Sequence, residues 1–249
     1  MSRDWDARTY DRVADPQTRW GAAVLNRLPL TGNERVLDAG SGSGRVTELL
    51  AERLPKGRVV AVDGSASMVD AARERLARFG DRIEYVVADL GQPLPIDGLV
   101  DAVLSTAVFH WVLDHDALFR NLAAVTASGG WLVAQSGGVG NIARVMAVLA
   151  RTGDGWLGDK YFATPLDTTR RLDTAGYVDI ECWLTDEPTR FERGEPFEAF
   201  LRTVILGGHL ERLPVGERDA FVHAVAEALD EPMIDYVRLN ITARRAATG

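Results

Sequence analysis

Val36-Leu37-Asp38-Ala39-Gly40-Ser41-Gly42-Ser43-Gly44 is a short apolar run that carries an acid and ends in three alternating glycines. Glycine directly after a strand lets a ligand approach the backbone without meeting a Cβ. The next segment, Arg45 to Leu54, places Val46, Leu49, Leu50 and Leu54 on one helical face, and Pro55 stops it. The order strand, glycine turn, helix puts unpaired N–H groups and partial positive charge at the turn, which favours a phosphate or a carboxylate.

The same alternation continues outward. Arg58-Val59-Val60-Ala61-Val62-Asp63 reads as a second strand, apolar until its acid, and Ser67 to Phe79 as a helix closed by Gly80. Ile83 to Ala88, Val100 to Ala107 and Trp131 to Gln135 read as three further strands, with a helix over Asp116 to Val125. Strands apolar on both faces and separated by helices predict a doubly wound, Rossmann-like α/β fold. Tyr177 to Thr185 and Ile234 to Ala243 supply late strands. The second alternates in polarity, which predicts an antiparallel, solvent-facing edge at the C-terminus of a mostly parallel seven-stranded sheet. Residues 1–29, the helix and loop of 140–168, and the stripe Phe197, Phe200, Leu201, Val204 and Ile205 behind Pro196 lie outside this core as helical lid segments. The expected organisation is one domain over 1–249. Within it, 1–29 is an N-terminal lid, 30–139 a cofactor-binding core, 140–232 substrate-side insertions with a late strand, and 233–249 the edge strand and tail.

The chain of 249 residues carries a formal charge of −8 and is 46% hydrophobic. That balance disfavours a nucleic-acid partner, which calls for a basic surface. Cys182 is the single cysteine, so no intramolecular disulfide forms. Asn121 to Ala143 has no ionisable side chain, but Gly129, Gly130, Gly137 and Gly138 interrupt it. It therefore reads as a helix end, a buried strand and a loop rather than a membrane span. The N-terminus lacks the apolar run of a signal peptide, so the expectation is a cytoplasmic protein without a membrane partner. No metal-ligand set is assigned, and the oligomeric state stays open.

Asp38, Asp63 and Asp89 each stand at a predicted C-terminal strand end and should converge on one rim, where ligands bind such sheets. Asp63 lies where a carboxylate accepts from a ribose, and Asp89 where one accepts from an adenine amine. A dinucleotide site prefers Gly-x-Gly-x-x-Gly, but the sixth position here is Arg45. Asp38 would also repel a pyrophosphate and attract an ammonium or sulfonium. S-adenosyl-L-methionine carries the carboxylate, the ammonium and the sulfonium that such a site suits.

These residues resemble the first three motifs of class I S-adenosylmethionine-dependent methyltransferases: the glycine turn after Asp38, the acid-ended strand Val59 to Asp63, and Val87-Ala88-Asp89-Leu90. The resemblance implies Asp38, Gly40, Ser41 and Gly42 at the methionine end, and Asp63 with Gly64 at the ribose. It implies Ala88, Asp89 and Leu90 at the adenine, Met68 on the adenine face and Thr106 under the methionyl group. A narrower resemblance, to the trans-aconitate methyltransferase-like small-molecule O-methyltransferases, rests on Tyr10-Asp11, Gln17-Thr18-Arg19-Trp20-Gly21 and Phe109-His110-Trp111-Val112. The expected acceptor is a small molecule methylated on a carboxylate or hydroxyl oxygen. A hydroxyl would use a base, with His110 the candidate; a carboxylate would instead use cationic partners such as Arg170, Arg190 or Arg202. Tyr10, Trp20, His110, Trp111 and His209 are the candidate substrate contacts. Two other readings are a cofactor-binding scaffold without transfer activity and a nicotinamide-dependent oxidoreductase.

Overall fold

The computed structural model describes residues 15–152, 156 and 158–247. Helix α1 (Asp15–Leu25) precedes β1 (Arg35–Ala39), α2 (Arg45–Arg53), β2 (Arg58–Asp63), α3 (Ala66–Leu76) and β3 (Ile83–Val87). Then come β4 (Val100–Thr106), α4 (His115–Val125) and β5 (Thr126–Gly137). These five strands are parallel, each hydrogen-bonded in register to its neighbour.

Alternation along the buried strands feeds two cores. On one face Val36, Val59, Ala61 and Leu104 pack with Leu50 of α2 and Leu76 of α3. On the other, Leu37, Val60, Val62 and Val103 pack with Leu118, Phe119 and Leu122 of α4. Both faces are covered, which is why these strands read as continuous apolar runs.

The rest of the chain comprises α5 (Ala143–Leu149), α6 (Pro165–Thr174), β6 (Tyr177–Asp186) and β7 (Thr189–Arg190), then α7 (Glu195–Phe200), α8 (Gly207–Arg212), α9 (Arg218–Ala228), β8 (Met233–Ile234) and β9 (Val237–Arg245). The sheet order is β3-β2-β1-β4-β5-β9-β6. The expected seven-stranded, mostly parallel sheet with an antiparallel last strand is present, but that strand is not the edge. β9 is inserted between β5 and β6, antiparallel to both, and β6 stands outermost. The polar residues that suggested a solvent-facing strand are instead buried: Arg238 and Asn240 are 2% and 3% exposed.

The lid forms a core of its own. Phe197, Phe200, Leu201 and Leu206 pack against Val145 and Leu149 of α5 and Val222 and Val225 of α9. Between α7 and α8 the backbone widens to a π-helix over Leu201–Ile205, a feature frequent at functional sites. Within the expected helix-and-loop segment 140–168, the helix covers only α5, and Pro165 already opens α6, capped by the Thr164 hydroxyl. Among the described residues no helix is long and apolar enough to cross a membrane.

Candidate active site

The strand order reverses between β1 and β4, opening a crevice beyond their C-terminal ends. Gly40, Gly42 and Gly44 all have positive φ there. At Gly40 the turn also passes so close to β4's exit that a Cβ would lie 2.1 Å from Val108 Cγ2. The N–H groups of Gly40 and Ser41 both donate to the Val62 carbonyl, at 2.8 and 2.9 Å. Asp63 straps the turn from the neighbouring strand: Oδ2 accepts from the Gly42 N–H and Oδ1 from the Ser65 N–H, both at 2.9 Å. Burial holds its carboxyl above the usual range against these bonds.

Asp38 sits behind the turn, fully buried. Oδ2 accepts from Thr47 Oγ1 at 2.7 Å, while Oδ1 has no hydrogen-bond partner among the described residues. Burial raises the carboxyl to about 7, the Thr47 bond works against this, and the charge of Asp63 adds to it. A buried, half-satisfied carboxyl is what a nearby cation would complete.

A cavity of about 930 Å³ runs from the turn to the underside of the lid. Gly40, Gly42, Asp63, Gly64 and Met68 line one end, with Ala88, Asp89, Leu90 and Thr106 beside them. Asp38 and Ser41, also expected here, do not line it: both are buried behind its wall. Asp89 turns back on its own loop, Oδ1 accepting from the Gly91 N–H at 2.9 Å.

His110 lies where the cavity passes under the lid. A short 3₁₀ turn, Phe109–Trp111, carries it. The Gly137 N–H donates to its Nδ1 at 3.3 Å, and the Tyr161 N–H donates to its carbonyl at 2.9 Å. His115 Nε2 bonds the Phe109 carbonyl at 2.9 Å, and Phe162 stacks on the His110 ring at 5.9 Å. Burial first, then the charges of Arg238 and Lys160 and the neighbouring His115, hold the imidazole pKa well below its ordinary value. A ring whose Nδ1 accepts from an amide carries its proton on Nε2.

The other expected contacts divide. Trp111 and His209 line the cavity, and His209 Nε2 bonds the Trp156 carbonyl at 2.9 Å. Trp20 does not line it. The ring is buried one layer back, edge-on to Tyr236 with the Arg238 guanidinium over its face. Tyr10 lies outside the described residues. Of the expected cations, Arg190 pairs with Glu231 and Arg202 with Asp219 on the surface, and Arg170 is exposed. None of the three lines the cavity, whose cations among the described residues are Lys160, Arg212 and Arg238. Asp114 caps α4 through the Ala117 N–H, and Asp116 pairs with Arg171, so neither orients His110.

The methyltransferase-domain family matches residues 36–130. Over nearly the whole chain, 98%, the sequence is 30% identical to trans-aconitate 2-methyltransferase of Paracidovorax citrulli, covering 99% of that protein. The chain belongs to the trans-aconitate 2-methyltransferase family. The enzyme of that name from Methylobacterium radiotolerans is 29% identical, with 98% and 99% of the two chains aligned. In structure the chain is similar to a Haemonchus contortus phosphoethanolamine N-methyltransferase bound to S-adenosylhomocysteine. The TM-score is 0.64 at 19% identity, over 97% of this chain and 57% of that one.

This methyltransferase therefore uses S-adenosyl-L-methionine, and its residues fit that cofactor. A Cβ at Gly40 would run into Val108, the Cβ direction of Gly42 is open space beside the cavity it lines, and the orphaned Asp38 oxygen calls for a cation. Sequence reasoning missed Asn141, Lys160, Phe162, Tyr236 and Arg238 in the cavity wall. A signal for two of them is present: Tyr236 and Arg238 share one face of the alternating last segment, a face that alternation alone turns to solvent.

Proposed function

We propose that this methyltransferase methylates a carboxylate oxygen of a small organic acid held between His110 and the lid. The single observation that carries the reading is the bond from the Gly137 N–H to His110 Nδ1. It leaves Nε2–H as the polar group the imidazole offers, so His110 is a donor and not the base that a hydroxyl acceptor would want. Arg238 and Lys160, whose charges bear on His110, add positive potential along the same wall. An ionised acid suits donors and cations. Trans-aconitate, the acid in the relatives' names, is the first candidate.

When bound, the cofactor supplies a methyl group already activated on a sulfonium, so the acid oxygen gains the methyl, sulfur keeps the bonding pair and no proton is released. What remains for the chain is binding, orientation and exclusion of water, and orientation supplies ~7–11 kcal/mol in favourable cases. We assign Gly40 and Gly42 to the methionine end, with Asp38 reading the ammonium from behind and Ser41 holding the turn. Asp63 and Gly64 take the ribose, while Met68, Ala88, Asp89 and Leu90 take the adenine. Thr106 lies under the methionyl group, and Trp111 and His209 wall the acceptor.

A radiolabelled transfer screen over small carboxylic acids, phenols and amines tests this. The expected result is label in base-labile esters of an acid, with no proton uptake or release in a pH-stat. Transfer confined to phenols or amines, with one proton released per turnover, would sink it.

A further inference from the structure

Four side chains gather around Gly137. Arg238 is its direct partner in the antiparallel β5–β9 ladder, so the guanidinium stem rises on the side where Gly137 has no Cβ. A Cβ built there would lie 2.9 Å from Asn141 Nδ2 and 2.9 Å from Phe162 Cε1. The Gly137 N–H meets His110 Nδ1. Asn141, Phe162, His110 and Arg238 all line the cavity.

Asn141 is 4% exposed, and its amide orientation is fixed. Oδ1 accepts from the Val237 N–H at 3.0 Å. A backbone N–H can only donate, so the oxygen faces Val237 and the NH₂ group is the end left for the cavity. The turn holding it is strained: Ile142, a β-branched residue, sits at φ 52, a left-handed conformation such residues rarely adopt. Two bonds keep it there. Ile142 N–H donates to the Asp235 carbonyl and Arg144 N–H to Asp235 Oδ2, both at 3.0 Å. Strain held by surrounding bonds is characteristic of binding sites.

We infer that Asn141 is a substrate-contact residue, its Nδ2 donating to the acceptor acid beside His110 and Arg238 and so selecting an anionic acceptor. The inference rests on the carboxylate reading above and names a residue that reading does not require. Donors on three separate elements then address one anion: the 3₁₀ turn before α4, the loop before α5, and β9. An amine or a neutral phenol would leave several buried donors without acceptors, which is costly.

Asn141→Asp is the decisive variant, because an Asp oxygen still accepts from the Val237 N–H while the other end turns from donor to acceptor. Calorimetry is run with S-adenosylhomocysteine present, titrating a panel of small mono-, di- and tricarboxylic acids into wild type and variant. The expected result is an acid that binds wild type and loses about 30-fold or more in affinity in Asn141→Asp. Homocysteine-product affinity and Tm should hold, and in turnover the loss should fall on KM more than on kcat. Gly137→Ala, which pushes on Asn141 and Phe162, should weaken the same acid without altering the Asn141 side chain. Equal acid affinity in wild type and Asn141→Asp would overturn the inference and leave the carboxylate reading intact, with Asn141 only tying its loop to β9. No acid bound by wild type would overturn the carboxylate reading itself.

Discussion

The backbone N–H of Gly137 is aimed at Nδ1 of His110 across 3.3 Å, and this sets the tautomer of the only histidine carried on the 3₁₀ turn after β4. With its pKa held well below the ordinary value, the imidazole favours its neutral form and leaves Nε2–H as the donor it can offer.

It follows that kcat/KM for the acid should be flat from about pH 6 to 9 as far as His110 is concerned. His110→Ala should lose roughly 10- to 100-fold, the worth of a hydrogen bond to a charged group. His110→Gln, which can still accept from Gly137 and donate onward, should recover part of it. A wild-type profile with a midpoint near 6.5 that vanishes in His110→Ala would show that His110 titrates as a base.

Gly40→Ala is expected to lose cofactor binding and to lower Tm by about 5 °C or more. Its φ of 85 is left-handed, and the added methyl would run into Val108. Neither conflict relaxes cheaply, since valine is stiff at χ1 and the turn is tied to the Val62 carbonyl. A thermal melt with and without S-adenosylhomocysteine checks both effects. A variant that melts like wild type and keeps its ligand-induced shift would mean the turn has slack.

How far the sequence carried depended on whether a side chain answers to its own strand or to the tertiary packing. The run Val36 to Gly44 and the acids Asp63 and Asp89 were legible because a parallel strand buried on both faces leaves one end for polar chemistry. The cavity end was not. Arg238 and Asn240 alternate with Leu239 and Ile241 as in any half-exposed strand, and alternation does not say whether the polar face meets water or a cavity. Only the insertion of β9 between β5 and β6 decides that. Trp20 failed for the complementary reason: an aromatic near the lid reads alike whether it lines the cavity or backs a residue that does. Gly137 gave no signal, because what it presents to His110 and Asn141 is an N–H and an absent methyl.

Lys160 ties two parts of the roof together. Nζ donates to the Ile205 carbonyl at the end of the π-helix, at 3.1 Å, and lies 4.8 Å from the centre of the Trp111 ring. Lys160→Met should keep the packing of the stem but loosen residues 201–206. Hydrogen exchange there should quicken several-fold, and KM for the acid should rise more than kcat falls. Unchanged exchange across 201–206 would show that the lid core around Phe200 and Leu206 holds the π-helix by itself.

If Asp38 reads the cofactor ammonium as proposed, cofactor binding should depend on pH. The Asp38 carboxyl, at about 7 in the folded protein and 3.8 ordinarily, keeps a proton that the unfolded chain gives up between pH ~4 and 7. Its contribution to stability therefore falls as pH rises through that window. A cofactor ammonium near the unpartnered Oδ1 reverses the preference and favours the carboxylate. Binding should then release close to one proton at pH 6 and almost none at pH 8.5, with affinity rising toward pH 7 and levelling above it. Calorimetry in buffers of different ionisation enthalpy counts the proton. Asp63 also carries a raised carboxyl in this cavity, so a control must separate the two. Methylthioadenosine keeps the ribose that Asp63 would hold and lacks the ammonium. Release with S-adenosylhomocysteine but not with methylthioadenosine, and its loss in Asp38→Asn, assigns the proton to Asp38. Equal release with both ligands assigns it to Asp63 and breaks the proposed link between Asp38 and the ammonium.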